Sequence, residues 1–313
     1  MSNTHVRFDW TLPEIISLFE TPLAEICEKA RHLHQELGNT AVQQCELLSI
    51  KTGGCPENCS YCSQSAHFKT EVKASALMDV ETVIATAKSA KIRGASRFCL
   101  GAAWREIPDG ARFENVLKMV TGVAREGLEV CCTLGMANEQ QLTALKAAGL
   151  TAYNHNLDTG REHYSTVTTT RNYDDRIATL KAARRAGVQV CCGGILGLGE
   201  SVKDRAMLLH ELCTMNPHPE SVPINLLVPV EGTPLSGQNH VPFEDFLKMV
   251  AIARLLMPHS RVRLSAGRNS LTQSQQQQCF EVGANSIFVG EKLLTTPNVD
   301  RNFDKRLLQS VNL

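Results

Sequence analysis

Residues 127–155 read Gly-Leu-Glu-Val-Cys-Cys-Thr-Leu-Gly-Met-Ala-Asn-Glu-Gln-Gln-Leu-Thr-Ala-Leu-Lys-Ala-Ala-Gly-Leu-Thr-Ala-Tyr-Asn-His, one complete strand–helix–strand unit. Gly127 opens the mainly apolar run Leu128–Leu134, and Asn138 with Gln141 forms a capping box at the start of a helix over Glu139–Ala148. Gly149 ends that helix and the next run, Leu150–His155, follows at once. The same unit recurs along the chain. Gly94 precedes Ala95–Leu100, Gly187 precedes Val188–Cys192 and Gly283 precedes Ala284–Val289, while Glu46–Ile50, Val222–Val228 and Arg261–Ser265 complete eight strands. Helices are expected at Val80–Ile92, Asp175–Ala186 and Phe243–Leu256. Eight alternating units predict an α/β chain folded as a (β/α)8 barrel of the TIM type.

An open doubly wound sheet is the alternative, but neither a Gly-x-Gly-x-x-Gly nor a Gly-x-x-x-x-Gly-Lys-Ser/Thr phosphate loop is present. Gly193-Gly194-Ile195-Leu196-Gly197-Leu198-Gly199 is read as close backbone approach to a ligand or as a tight βα loop. Ahead of the barrel, Leu12–Leu37 places Ile15, Leu18, Phe19, Leu23 and Ile26 at helical spacing. The expected division is an N-terminal helical cap over 1–40, the barrel over 41–298 and a short C-terminal extension over 299–313. The Gln275–Gln278 run reads as a polar helix face.

Of the 313 residues, 43% are hydrophobic and 20% charged, enough to bury a sizeable core with no stretch of membrane-spanning character. Lys+Arg and Asp+Glu balance at 32 each, so no global positive field draws the chain to nucleic acid or to a membrane surface. The first ten residues lack a signal or transit pattern, and a cytoplasmic location is expected. Twelve cysteines in such a compartment point to metal or redox chemistry, because thiols there stay reduced.

Three of them form Cys55-x3-Cys59-x2-Cys62 in the loop after the first strand, where a barrel places its active site. Structural zinc wants four ligands, and His67 is the nearest other candidate. Three thiolates suit a [4Fe–4S] cube with one iron left open. The triplet, with the aromatic Tyr61 before its last cysteine, is similar to the radical S-adenosylmethionine (SAM) superfamily.

Strand parity sorts the remaining cysteines, since alternate residues face the barrel lumen. Cys99 shares a face with Arg97, Cys131 with Glu129 and Thr133, Cys191 with Gln189, and Arg263 with Arg261 and Ser265. Cys132 and Cys192 then fall on the apolar face under the helices. Three inward cysteines beneath the triplet argue for a second iron–sulfur cluster. The same parity sets Asn154, Asn156 and Asp158 on one face at the end of strand four and turns Asn225 inward, either toward a ligand with amide and hydroxyl groups or as caps of neighbouring loops.

From about Trp10 to Asn298 the chain resembles the biotin synthase family, on Leu48–Cys62, Arg97–Arg105, Tyr153–Thr159, Ser221–Leu227 and Val262–Arg268. The resemblance implies a homodimeric sulfurtransferase of biotin biosynthesis that converts dethiobiotin to biotin with SAM. It implies that Cys55, Cys59 and Cys62 hold a [4Fe–4S] cluster, and that Cys99, Cys131, Cys191 and Arg263 hold a [2Fe–2S] cluster that donates the sulfur. It places Tyr61, Asn156, Asp158 and Arg176 at SAM, with Arg176 near its carboxylate, and Asn154, Asn156 and Asn225 at the substrate. A flavodoxin-like electron donor and cluster-assembly proteins are the implied partners. Another radical SAM enzyme on the same barrel, or a non-catalytic iron–sulfur or zinc protein, are the alternatives. The chain stops about fifteen residues after Asn298, where family members commonly carry a longer tail.

Overall fold

Left-handed backbone at five glycines sets the spacing of the strands. In the computed structural model, which describes residues 6–38 and 41–311, Gly94, Gly127, Gly149, Gly187 and Gly283 take φ between +68° and +119°. Each follows a helix as its C′ residue, where a Cβ would clash with the backbone. The helices they end are α3 (Val80–Ile92), α4 (Ala111–Arg125), α5 (Glu139–Ala147), α7 (Tyr173–Arg185) and α10 (Gln273–Glu281). The others are α1 (Leu12–Glu20), α2 (Leu23–Glu36), α6 (Tyr164–Val167), α8 (Val202–Cys213), α9 (Phe243–Leu256) and α11 (Arg301–Val311). Asn138 and Gln141 do cap α5 reciprocally. α7 starts two residues before the expected Asp175, because Asn172 is the cap and Asp175 its reciprocal partner.

The strands are β1 (Gln43–Lys51), β2 (Arg97–Ala102), β3 (Glu129–Thr133), β4 (Leu150–Asn154), β5 (Gln189–Cys191), β6 (Gly194–Leu196), β7 (Ser221–Leu226), β8 (Arg261–Leu264) and β9 (Ser286–Val289). All pairings between them are parallel, and a contact between Cys191 of β5 and Ser221 of β7 closes the ring, which excludes the open sheet. β5 and β6 are two halves of one barrel strand, the first pairing with β4 and the second with β7. The glycine-rich stretch is thus partly strand, not a loop. A Cβ on Gly193 would lie 1.9 Å from the carbonyl oxygen of Pro223, and one on Gly194 would lie 2.7 Å from that of Asp158. The close approach is to neighbouring strand ends. Gly193→Ala is therefore expected to cost on the order of 3 kcal/mol of stability, read as a lowered denaturant midpoint; an unchanged midpoint would show that the strands can part at no cost.

Apolar side chains form two separate sets. The outer shell, between sheet and helices, includes Phe98, Val130, Cys132, Tyr153, Val190, Cys192 and Ile224. A small inner set holds Cys45, Cys99, Cys131, Ala152 and Cys191, with Leu47 and Phe288 against it. Outside the barrel, α1 packs on α8 and α2 on α9. Ile15, Phe19 and Ile26 are buried there, while Leu18 and Leu23 are half-buried. Lys248 Nζ donates to the carbonyls of Phe19 and Thr21, both at 2.8 Å. In α10 the polar-face expectation fails at Gln276, which is fully buried and exchanges hydrogen bonds with Arg268. Arg268 in turn pairs with Asp304 at 2.6 Å and ties α11 to the barrel. Among the described residues no helix is long and apolar enough to cross a membrane.

Candidate active site

The inner set lies where strand register brings inward residues together. Cys99 and Cys131 stand opposite one another on β2 and β3, and Cys191 stands opposite Asn154 on β5 and β4. Their doublet neighbours Cys132 and Cys192 belong to the outer shell. Cys131 is in hydrogen-bond contact with Cys191, which pulls its pKa down, but the contact with Cys99 and burial outweigh this and hold the thiol above its ordinary range. Cys191 is raised by its contact with Cys131 and by burial. Such thiols stay neutral until a metal displaces their protons.

Arg263, 1% exposed, reaches into the same space. Its Nε donates to Ser286 Oγ at 2.9 Å and its Nη1 to Cys191 Sγ at 3.6 Å. Nη2 donates to Gln43 Oε1 and Ser221 Oγ, both at 3.4 Å, and the guanidinium lies 5.0 Å from the Phe288 ring centroid. Among the described residues no carboxylate pairs with it. The nearby Arg97 also donates to Ser221 Oγ at 2.8 Å and has Glu129 as its ion-pair partner at 2.8 Å. Of these two buried cations only Arg97 has a carboxylate partner, the half-exposed Glu129, an arrangement that is costly unless a further anion enters. A cluster held by thiolates meets that need. Burial opposes the charge on Arg263, yet the surrounding sulfurs, Cys45 first, then Cys191, Cys99 and Cys131, raise its pKa above the usual value when they are ionised.

Above this floor, residues 53–66 close on themselves: Cys55 N donates to Gln64 O at 2.9 Å and Ala66 N to Cys55 O at 2.7 Å. Burial, then the neighbouring Cys59, pushes the Cys62 thiol up to about 12, and burial also raises Cys55. Two residues inside the motif anchor it. Glu57, 2% exposed, accepts from Arg105 Nη1 at 2.8 Å, and Asn58 Oδ1 accepts from Thr168 Oγ1 at 2.9 Å and Thr169 N at 3.0 Å. Among the described residues no three His, Cys, Asp or Glu side chains converge tightly enough to enclose one ion.

At the end of β4 the backbone of Asp158 is left-handed, φ +68°, the one non-glycine case among the described residues. Its carboxylate is fully buried and accepts from Tyr61 Oη at 3.0 Å and Arg176 Nη2 at 2.5 Å. Arg176 also donates to Asn156 O at 2.7 Å and Tyr164 Oη at 2.8 Å. These bonds use three of the five guanidinium N–H donors, and Arg176 also lines the cavity described below. Asn154 Nδ2 donates to Asn156 Oδ1 and to Cys191 Sγ, both at 3.2 Å, and so links the strand end to the floor. Asn225 caps backbone, donating to Gly194 O at 2.9 Å and accepting from Ala266 N at 3.1 Å.

A cavity of about 340 Å³ unites these groups: Cys55, Cys59, Cys62, Tyr61, Cys99, Cys131, Asn154, Asn156, Asp158, Arg176, Asn225 and Arg263 all line it. Cys191 is not itself in the lining but accepts from two residues that are, Asn154 and Arg263. The buried Ser265 Oγ and His155 Nε2 have no hydrogen-bond partner among the described residues although both residues line the cavity. Orphaned polar atoms of this kind are what a ligand's polar groups satisfy. Burial first, then the charges of Arg176 and Arg171, keeps His155 neutral. Asp158→Ala is expected to cost about 3 kcal/mol or more by stranding the Arg176 charge, measured by denaturant unfolding; a loss below about 1 kcal/mol would mean that water or a neighbour replaces the carboxylate.

Sequence reading passed over Glu57, Asn58, Arg105, Arg171 and, on the floor, Gln43, Cys45, Ser221 and Ser286. Glu57 and Asn58 stood inside the cysteine motif and were the ones within reach of inspection.

Residues 49–212 match the family model of the radical SAM superfamily, and residues 223–313 match that of the biotin and thiamin synthesis associated domain. Curated biotin synthases are similar over nearly the whole chain. That of Synechococcus elongatus is 54% identical over 98% of this chain and 96% of its own length. That of Cytophaga hutchinsonii is 53% identical over 99% and 92%, and that of Myxococcus xanthus 53% over 98% and 89%. Among solved structures, methylornithine synthase superposes with a TM-score of 0.80 at 20% identity, over 96% of this chain and 92% of that one. The FeFe-hydrogenase maturase of Carboxydothermus hydrogenoformans gives 0.81 at 18%, over 96% and 75%. At such identities these two speak for the fold alone. With relatives above half identity along almost its full length, the chain belongs to the biotin synthase family of the radical SAM superfamily.

Proposed function

We propose that the chain converts dethiobiotin to biotin, with Cys55, Cys59 and Cys62 holding a [4Fe–4S] cluster and Cys99, Cys131, Cys191 and Arg263 a [2Fe–2S] cluster. The observation that carries this reading is the single cavity in which the cysteine triplet overlies the inward cysteines and a buried arginine without a carboxylate. When bound, the cube and SAM supply a radical that removes hydrogen from unactivated carbon, and the second cluster supplies sulfur, chemistry beyond any protein acid or base. The protein positions and shields. Asn154 and Asn225 present amide groups toward a ureido ring, and Asn156 and Asp158 stand between the SAM ribose and the substrate. Tyr61 and Arg176 orient the Asp158 carboxylate, and the remaining N–H donors of Arg176, which lines the cavity, stand near the SAM carboxylate.

The barrel spans 41–298, with the helical pair before it and α11 after it. The chain works as a homodimer served by a flavodoxin-like electron donor and cluster-assembly proteins.

The deciding experiment is anaerobic reconstitution followed by measurement of 5′-deoxyadenosine with and without dethiobiotin. Formation that depends on dethiobiotin and accompanies biotin supports the reading. Deoxyadenosine indifferent to dethiobiotin would assign the barrel to another radical SAM reaction, and none at all to a non-catalytic iron–sulfur protein. In the same time course, a sulfur-donating cluster limits the yield to roughly one biotin per chain with about two deoxyadenosines, while the [2Fe–2S] absorption fades in step. Sustained turnover with an undiminished cluster and no added sulfur would remove the donor role.

A further inference from the structure

Four thiols, not three, stand on the barrel floor. Cys45 on β1 is fully buried in the same inner set as Cys99, Cys131 and Cys191. Its Sγ donates to Gln43 Oε1 at 3.5 Å and lies 3.6 Å from Ser286 Oγ. Arg263 uses the same two groups, Ser286 Oγ at 2.9 Å and Gln43 Oε1 at 3.4 Å. Thiol and guanidinium therefore share one hydroxyl and one amide on one side of the space that Cys99, Cys131 and Cys191 border.

The two differ in how readily they bind iron. A guanidinium offers five N–H donors and no acceptor, and it binds a metal only after giving up a proton that it holds past pH 12. A thiol yields its proton to the incoming metal, and its thiolate is the usual ligand of such clusters. We propose that Cys45 is a fourth thiolate ligand for the binuclear cluster, able to take the coordination position that the family pattern gives to Arg263. In the exchange an Fe–N bond breaks and an Fe–S bond forms. The proton lost by Cys45 goes to Arg263, which Ser286 Oγ connects to it: the ligated cluster becomes one unit more negative, Arg263 regains its positive charge, and the net charge of the site and the oxidation state of the iron are unchanged. Arg263 then remains beside the cluster as a charged hydrogen-bond donor.

This inference rests on the second-cluster reading above, and the test separates the two. Wild type, Arg263→Met, Cys45→Ser and the double variant are reconstituted anaerobically. Iron, acid-labile sulfide, resonance Raman spectrum and the rate of cluster loss to a chelator are then measured. Arg263→Met is expected to keep the second cluster with an all-thiolate spectrum, and the double variant to lose it about tenfold faster or more. Equal retention in Arg263→Met and the double variant, or equal loss in both, overturns the role of Cys45 while leaving the cluster reading intact. A wild type that takes up iron for the cube alone overturns both. Arg263→Lys, which keeps the buried charge, covers the case in which Arg263→Met fails to fold.

Discussion

Replacing Cys59 with alanine is expected to reduce 5′-deoxyadenosine and biotin formation to background while the [2Fe–2S] absorption persists. A cube bound through three corners has no spare ligand in this loop, because Cys55, Cys59 and Cys62 are its three cysteines and His67 already lies 3.0 Å from Pro56 O. The loop itself should hold its shape. Glu57 and Asn58 fasten it to Arg105 and to residues 168–170, and its internal hydrogen bonds join Cys55 to Gln64 and Ala66. Near-ultraviolet circular dichroism should therefore stay native while the oxygen-labile absorption disappears. Loss of both clusters from a folded chain would show that the two cysteine sets do not form independent sites.

Across the two Cys-Cys doublets the expected effects are opposite. Cys131→Ala and Cys191→Ala should eliminate biotin, since each removes a thiol from the inner set, and the second cluster should fall below detection by iron and sulfide content. Cys132→Ala and Cys192→Ala remove a small hydrophobe from the outer shell and should cost on the order of 1 kcal/mol of stability with activity retained. The contrast depends on barrel geometry alone: one residue along a strand exchanges lumen for helix-covered face. Equal loss of biotin in both members of a doublet, with folding intact, would contradict the inward assignment.

The strand–helix rhythm was legible because its determinants are local. Gly94, Gly127, Gly149, Gly187 and Gly283 must each adopt a positive φ within two residues of a helix end, and Asn138 must meet Gln141 within one turn. Parity within β2, β3 and β5 then followed from the two-residue period of a strand. β1 shows where that logic stops. Its expected start at Glu46 left Cys45 outside the strand, since Gln43-Gln44-Cys45-Glu46 has neither apolar alternation nor β-branched residues. The strand begins at Gln43 because β2 and β9 flank it. Cys45 pairs with Arg97 on one side and Phe288 on the other.

Long side chains were the other limit. Arg176 and Asp158 stand 18 residues apart and Arg263 and Ser286 stand 23 apart, so nothing in the local pattern says which acceptor each guanidinium will find. The barrel, its strand count and the facing of its cysteine doublets could be read from the amino-acid order, because backbone conformation and side-chain alternation are short-range properties. Long-range packing set the break between β5 and β6, the pairing of Arg176 with Asp158, the spare positive charge on the floor and the fourth thiol beside Arg263. Those depend on which distant backbones close the ring and on which polar groups burial forces together, where an unpaired charge or donor costs more than any local preference supplies.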